Sequence, residues 1–335
     1  MDAATKDLNS EPSTAASPAG GSRLGVRARG LVKRFGAVTA VRGIDLALPA
    51  RGVCGLLGPN GAGKTTTIRM IAGILDPDEG SLEVAGLDAR RDATAVRARI
   101  GYLPESAPLS PELTVLEHMR FRAGLAGLRG AVARAAIDDS MLRCDVARFA
   151  HRCAGTLSKG MQQRVGLAAA ILGDPAVVIL DEPSVGLDPG QTIVFRTLVR
   201  ELGESRLVLF SSHLLSEVES VCGELAVIAG GRLVVHETLA AFRARAAQGA
   251  SFVVETDAAP AGVAARALAD GWWRSEVALA DDAARAETVR ALAAAGLRVR
   301  RASAEVRSLE SVFVELVHDA ARRDERMQRG AGGAA

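Results

Sequence analysis

The chain has 335 residues, about twice the length of a typical domain, so two domains are expected. Apolar residues make up 48% of it and charged residues 24%, proportions of a globular protein that exclude a disordered or fibrous one. Because 41 Lys and Arg face 39 Asp and Glu, the net charge is too small to attract phosphate backbones strongly, and no nucleic-acid partner is expected.

The amino-terminal segment and the cysteines restrict where the protein works. Residues 1–22 are rich in Ser, Pro and Gly and lack an apolar leader stretch, so they are expected to form a disordered tail. The longest run without charged residues, 52–63, covers 12 residues, fewer than the ~20 that a membrane-spanning helix needs. The four cysteines form no Cys-x-x-Cys pair and have no neighbouring His at metal-ligand spacing, which favours a reduced, cytoplasmic protein.

Alternating strand and helix patterns predict an α/β fold. Residues 53–57 form a short apolar run typical of a strand, and residues 65–75 have helical character after a Gly-rich turn. The apolar runs 176–180 and 207–210 are typical of parallel strands that are buried on both faces.

The middle of the chain is expected to be helical. Thr114 and Glu117 have the spacing of a capping box, which predicts a helix running towards Leu125, and helical patterns continue through Leu142. A helical subdomain is therefore predicted over about residues 106–160.

The composition changes after about Glu237, where Ala- and Arg-rich helices alternate with candidate strands. The candidate strands are residues 251–256, 272–280 and 297–301. We expect a small α+β accessory domain over residues 237–325, followed by a flexible tail over residues 326–335.

One apolar stripe near the carboxyl end predicts a helix that begins near Ser308. The residues at spacings i, i+3, i+4, i+7 and i+8 are Leu309, Val312, Phe313, Leu316 and Val317. The stripe is expected to close the small domain's own core against the preceding strands, and a further role in assembly is the alternative.

One segment matches the phosphate-binding loop G-x-x-x-x-G-K-[ST] at every required position: Gly58-Pro-Asn-Gly-Ala-Gly-Lys64-Thr65. It lies between a predicted strand and a predicted helix, which disfavours an ordinary Gly-rich turn. Backbone N–H groups of such a loop surround phosphate oxygens, Lys64 reaches the β- and γ-phosphates, and Thr65 can ligate Mg²⁺. The expected ATP-binding residues here are Gly58, Pro59, Asn60, Gly61, Ala62, Gly63, Lys64, Thr65 and Thr66.

Two adjacent carboxylates, Asp181 and Glu182, directly follow the apolar run 176–180. The carboxyl ends of strands are where an open α/β sheet binds its ligands. Asp181 is expected to hold Mg²⁺ directly or through water, and Glu182 to accept a proton from the attacking water. A helix cap or a surface turn is the alternative for this pair.

With these motifs in this order, the chain resembles the nucleotide-binding subunit of ATP-binding cassette (ABC) transporters over about residues 24–236. The segment Leu157-Ser158-Lys159-Gly160-Met161 occupies the place of the family's LSGGQ sequence, although Lys159 and Met161 depart from it. The resemblance implies that Ser158 and Gly160 contact the γ-phosphate of ATP held by a second copy. Considered alone, Ser158 could simply cap a helix.

Further positions follow the family's order. The resemblance implies that Asp188 lies at the subunit interface, that His213 contacts the γ-phosphate, and that Phe35 stacks on adenine. Glu105 stands where the family usually has a Gln that touches both Mg²⁺ and the membrane partner. A carboxylate can ligate Mg²⁺ but brings negative charge near the triphosphate, and Glu105 could instead simply start the helical subdomain.

The resemblance implies a P-loop NTPase cassette and an ATPase in which two copies enclose two ATP molecules. Such a pair would energise a separately encoded polytopic permease and would lie peripherally on the cytoplasmic face of the membrane. The LSKGM variant, the segment around Glu105 and residues 308–316 resemble bacterial type 2 ABC exporter ATPases, including drug and antibiotic efflux systems. The sequence of this chain does not identify the transported substrate.

Two alternatives are opposed by sequence features. Soluble relatives that act on ribosomes usually carry two cassettes, but this chain has a single phosphate-binding loop. Relatives that act on DNA have long insertions, but Glu105 and Ser158 are only 53 positions apart, which leaves no room for one. A binding module without hydrolysis would be expected to lack Glu182.

Overall fold

The computed structural model describes residues 24–248, 251–277, 282–305 and 308–332, so the tail predicted at 1–22 lies outside the described residues. The strands are β1 (Leu24–Phe35), β2 (Val38–Pro49), β3 (Gly52–Leu57), β4 (Glu79–Val84), β5 (Leu87–Asp88), β6 (Ile100–Leu103), β7 (Val177–Asp181), β8 (Leu207–Ser212), β9 (Glu224–Ala229), β10 (Arg232–Thr238), β11 (Ser251–Thr256), β12 (Ala265–Ala267), β13 (Trp273–Val277) and β14 (Val299–Glu305). The α-helices are α1 (Lys64–Ile71), α2 (Ala93–Arg97), α3 (Val115–Leu125), α4 (Gly130–Arg143), α5 (Lys159–Ile171), α6 (Pro189–Ser205), α7 (Leu215–Val221), α8 (Leu239–Gln248), α9 (Asp282–Ala294) and α10 (Leu309–Gly332).

A six-stranded sheet forms the centre of the cassette, in the order β10-β9-β3-β8-β7-β6. Five of its strands are parallel, and β10 joins the edge antiparallel to β9. All residues of β7 and β8 are buried. The prediction of an α/β fold with parallel strands buried on both faces is therefore confirmed.

An antiparallel sheet, in the order β2-β1-β4-β5, covers one face of the central sheet. β2 alternates exposed and buried residues from Gly43 to Leu48, the pattern of a sheet with one face exposed to solvent. The other face carries a larger apolar core shared with α3 to α8. The sequence analysis did not predict the antiparallel sheet.

The helical character predicted for the middle of the chain is confirmed by α3 and α4. Thr114 Oγ1 accepts a hydrogen bond from the Glu117 amide at 3.2 Å, and Glu117 Oε2 accepts one from the Thr114 amide at 2.9 Å. The predicted capping box therefore starts α3 by satisfying two amides that the helix leaves free.

The small carboxyl-terminal sheet is antiparallel, in the order β12-β13-β11-β14, and α9 packs against β14. The three strands predicted there exist, and β12 was not predicted. Positions 278–280 of the predicted strand 272–280 lie outside the described residues.

The structure corrects two boundaries and one packing prediction. The domain boundary predicted after residue 236 falls inside β10, and α8 buries Phe242 in the core of the cassette. The tail predicted from residue 326 is helical as far as Gly332. The stripe of α10 packs against the core shared by α7, α8 and β9 rather than closing the small sheet, because those elements present the apolar surface.

Across the described residues, the structure contains no helix that is both long enough and apolar enough to span a bilayer.

Candidate nucleotide-binding site

The phosphate-binding loop connects the carboxyl end of β3 to α1, as predicted. A Cβ on Gly58 would lie 2.2 Å from the Ile228 carbonyl oxygen, and one on Gly63 would lie 2.6 Å from the Ala40 carbonyl oxygen. Gly63 also has φ +103°, a conformation that side chains disfavour. This tight turn leads directly into α1, whose first amides have no partner within the helix and can bind an anion.

A cavity of about 560 Å³ opens over this loop. Its lining residues are Phe35, Ala40, Pro59, Asn60, Gly61, Ala62, Gly63, Lys64, Thr65, Thr66, Glu105, Glu182, Val185 and His213. The volume lies within the range of about 300–1,000 Å³ for small-molecule sites. The fold thus brings together most of the residues that the sequence analysis had selected from separate segments.

The ammonium group of Lys64 lies at the bottom of the cavity, and its side chain is 6% exposed. Nζ donates hydrogen bonds to the carbonyl oxygens of Gly58 (2.7 Å) and Pro59 (3.4 Å), and it lies 3.6 Å from Glu182 Oε1. A cation in such a buried position needs negative partners. This point charge is suited to a polyphosphate.

Glu182 connects the two sides of the cavity. Its Oε1 faces Lys64, and its Oε2 lies 2.9 Å from Nδ1 of His213. Its backbone has φ +47°, which costs a residue other than glycine about 1 kcal/mol or more, and its amide donates to Ser211 Oγ at 2.9 Å. The strained backbone, held by this hydrogen bond, directs the carboxylate into the cavity beside a histidine.

Asp181 precedes Glu182 and is buried. Ser211 Oγ donates a hydrogen bond to its Oδ1 at 2.7 Å. Burial raises the pKa of the Asp181 carboxyl above its ordinary value, and the neighbouring charge of Glu182 adds to this, whereas the Ser211 hydrogen bond lowers the pKa. A nearby cation would oppose the rise, because it favours the charged form of the carboxyl.

The segment that resembles LSGGQ packs against the loop that contains Asp188. A Cβ on Gly160 would lie 2.0 Å from Gln191 Oε1, and Asp188 Oδ1 accepts a hydrogen bond from the Gln191 amide at 2.8 Å. Ser158 Oγ accepts one from the Met161 amide at 3.3 Å, so Ser158 does cap α5. Ser158, Gly160 and Asp188 are not among the residues that line the cavity of their own chain.

Glu105 lies in the loop after β6, well before α3 begins at Val115, and it lines the cavity. Its backbone carbonyl accepts a hydrogen bond from Gln163 Nε2 at 2.5 Å, and Gln163 is buried in α5. Glu105 therefore lies in the loop that leads into the helical subdomain, and its carbonyl joins the nucleotide cavity to the helix that follows Ser158.

The residues fit ATP and Mg²⁺. The loop can adopt this conformation because Gly58 and Gly63 lack Cβ atoms, which would clash with the carbonyl oxygens of Ile228 and Ala40. Lys64 supplies the positive charge that phosphates need. Thr65, Asp181 and Glu105 supply hydroxyl and carboxylate oxygens, the hard ligands that Mg²⁺ prefers.

Comparisons with known proteins agree with this geometry. A family model described as ABC transporter matches residues 41–185. The daunorubicin resistance ATP-binding protein DrrA3 of Streptomyces coeruleorubidus is 34% identical over 299 residues, covering 87% of this chain and 95% of that protein. The chain belongs to the ABC transporter family of ATPases.

The probable multidrug ABC transporter ATP-binding protein YbhF of Escherichia coli is 39% identical over 61% of this chain, although the match spans only 36% of that relative. A solved ATP-binding subunit of an ABC transporter has a TM-score of 0.60 and 28% identity, covering 66% of this chain and 92% of that structure.

Three residues of this ABC ATPase site were missed or undervalued by sequence reasoning. Ala40 and Val185 line the cavity but carry no chemical signal. Ser211 was not selected from the sequence, yet it forms hydrogen bonds with both Asp181 and Glu182. No local sequence pattern identifies Ser211, because it meets Asp181 only through the pairing of β7 with β8.

Proposed function

We propose that this ABC ATPase works as a pair of identical subunits and powers a separately encoded polytopic permease for export. The main support for the proposal is that Lys64, Glu182 and His213 contact one another in one cavity through the Glu182 carboxylate. Lys64 supplies charge for the phosphates, and Glu182 supplies a base held by His213. A passive nucleotide-binding module has no need for such a base.

Each residue has a distinct task in hydrolysis. Lys64 orients the β- and γ-phosphates. Glu182 takes a proton from water while the water oxygen bonds to the γ-phosphorus and the bond from that phosphorus to the bridging oxygen breaks. His213 orients the carboxylate of Glu182 from the 2.9 Å contact and reaches towards the γ-phosphate.

Mg²⁺, when bound, would neutralise charge on the β- and γ-phosphates, and Thr65, Asp181 and Glu105 would hold it. Phe35, half exposed at the edge of the cavity, provides a ring on which adenine can stack.

A second copy would complete the site. Ser158 and Asp188 are exposed and, with Gly160, lie outside the lining of the cavity in their own chain. Gly160 is buried against Gln191, and this packing joins the segments that carry Ser158 and Asp188 into one surface. We assign this surface to the γ-phosphate held by the partner subunit.

The export role is supported by the resemblance to proteins named for multidrug transport and daunorubicin resistance. The chain would then act on the cytoplasmic face of the membrane through the permease. The alternative, a soluble ATPase acting on ribosomes or DNA, gains no support from these relatives.

Affinity capture from the native cell tests the permease assignment. A tagged Glu182→Gln protein is expected to retain ATP and to capture a polytopic membrane protein from solubilised membranes in Mg-ATP. The matched control is tagged Lys64→Ala, which should lose the nucleotide-dependent part of this capture. Enrichment of ribosomal subunits or DNA in place of a membrane protein would overturn the proposal.

A further inference from the structure

Three strands of the central sheet bring together a thiol, a carboxylate and an imidazole away from the nucleotide cavity. Cys54 in β3 pairs with Glu224 in β9, and His236 in β10 pairs with Ala226, two residues further along β9. The period of two along a strand places Glu224 and Ala226 on the same face. The cluster lies towards the amino-terminal end of β3, whereas the phosphate-binding loop follows its carboxyl end.

The ligand atoms are close enough for one ion. The Cys54 thiol sulfur, a Glu224 carboxylate oxygen and a His236 ring nitrogen all lie within 4.8 Å of one another, and His236 Nε2 is 3.4 Å from Glu224 Oε2. Tetrahedral Zn²⁺, with bonds of about 2.0–2.3 Å, separates its ligand atoms by roughly 3.3–3.8 Å. Side-chain shifts of about 1 Å or less would therefore close the site, on a rigid sheet.

The environment suits a cation that prefers sulfur and nitrogen. Cys54 is 1% exposed, and a bound divalent cation would displace the proton of its thiol. A thiolate beside the Glu224 carboxylate would carry two negative charges, which match a divalent cation. The side chains of Glu224 and His236 are 33% and 22% exposed, which gives an ion a way in and leaves room for a water ligand.

We propose that Cys54, Glu224 and His236 form a Zn²⁺ site whose fourth ligand is water. The set of one sulfur, one nitrogen and one oxygen ligand selects against Mg²⁺, so the site is chemically separate from the nucleotide cavity. Bound Zn²⁺ would join β3, β9 and β10 and so stabilise the sheet that carries the phosphate-binding loop. The competing interpretation is a Glu–His ion pair beside an unreactive buried thiol.

Cobalt substitution in the purified full-length chain, after treatment with a chelator, tests the site. Added Co²⁺ is expected to bind as one ion per chain and to give a thiolate-to-cobalt charge-transfer band, which Zn²⁺ then displaces. Cys54→Ala should abolish the band, and His236→Gln should weaken Zn²⁺ binding at least about tenfold. Cys222→Ala, which removes a buried thiol outside the cluster, is the matched control and should leave the band unchanged.

A second measurement keeps the proposal testable if Cys54→Ala fails to fold. Zn²⁺ should raise the melting temperature of the wild-type chain, and Glu224→Gln and His236→Gln, whose side chains are partly exposed, should lose that increase while still binding ATP. Absence of the charge-transfer band in folded wild-type protein, or its persistence in folded Cys54→Ala, would leave only the ion-pair interpretation.

Discussion

Replacing Val312 in α10 by Ala is expected to destabilise the cassette, although Val312 lies far along the sequence from the nucleotide site. The side chain is 4% exposed and belongs to the core that α10 shares with α7, α8 and β9. The substitution removes two methyl groups, and each buried methyl group contributes about 0.5–1.5 kcal/mol, so a loss of about 1–3 kcal/mol is expected.

Val314→Ala is the matched control for this experiment. Val314 lies on the same helix but is 48% exposed, so its truncation should change the free energy of unfolding by less than ~0.5 kcal/mol. Both substitutions exchange Val for Ala within α10, so the difference in helix propensity cancels between them. The difference between the two variants therefore measures burial alone.

The assay can distinguish the cassette from the small sheet. Both tryptophans of the chain, Trp272 and Trp273, belong to or adjoin β13, so their fluorescence reports on the small sheet. Binding of a fluorescent ATP analogue during urea unfolding reports on the cassette. Val312→Ala should lower the urea midpoint for loss of nucleotide binding more than Val314→Ala does. A shift confined to the tryptophan signal, or equal shifts in the two variants, would refute the packing of α10 on the cassette.

Two further predictions concern the nucleotide cavity. Lys64→Ala should abolish ATP hydrolysis and weaken ATP binding in a filter-binding assay, because it removes the buried charge beside Gly58 and Glu182. Near-normal turnover would contradict the assignment of the phosphate-binding loop. Glu182→Gln should keep ATP binding but reduce turnover about 10²–10⁴-fold, and Mg-ATP should then hold a dimer on size exclusion; a variant that stays monomeric at high concentration would count against the base role and the paired site.

Local signals in the sequence predicted those parts of the fold that neighbouring residues determine. The capping box at Thr114 and Glu117 fixes where α3 begins, and the unbroken apolar runs of β7 and β8 follow from burial on both faces. The phosphate-binding loop was predictable for the same reason, because its glycines, its lysine and its helix start are contiguous.

Features that depend on which surfaces meet were not predictable in this way. The stripe containing Val312 shows that α10 has an apolar face, but its spacing does not identify the surface that covers that face. Cys54 and His236 likewise come together only through the register of β3, β9 and β10, which no local pattern specifies. Strand order and helix packing are tertiary properties, so sequence periodicity predicts the helices and strands but not how they are arranged.

Ser211 provides a test of how the sheet supports the two carboxylates. Its hydroxyl donates to Asp181 Oδ1 and accepts from the Glu182 amide, and the residue is fully buried. Ser211→Ala would remove a hydrogen bond to a carboxylate, worth about 1.5–3 kcal/mol when that group is charged and about 0.5–1.5 kcal/mol when it is neutral. The cost should therefore depend on whether Asp181 is ionised.

The direction of the pH dependence follows from the pKa of Asp181, which burial raises in the folded chain. Because the folded chain binds this proton more tightly than the unfolded chain, the group's contribution to stability falls as pH rises through the folded pKa. Ser211→Ala removes an interaction that lowers this pKa, so the destabilisation should grow as pH rises from acidic values through the folded pKa of Asp181. Ser140→Ala is the control, because Ser140 is buried but donates to the Ile137 carbonyl, which does not titrate. Urea unfolding across this range should show a rising loss for Ser211→Ala and a constant one for Ser140→Ala, and parallel pH profiles would show that Ser211 does not stabilise the charged form of Asp181.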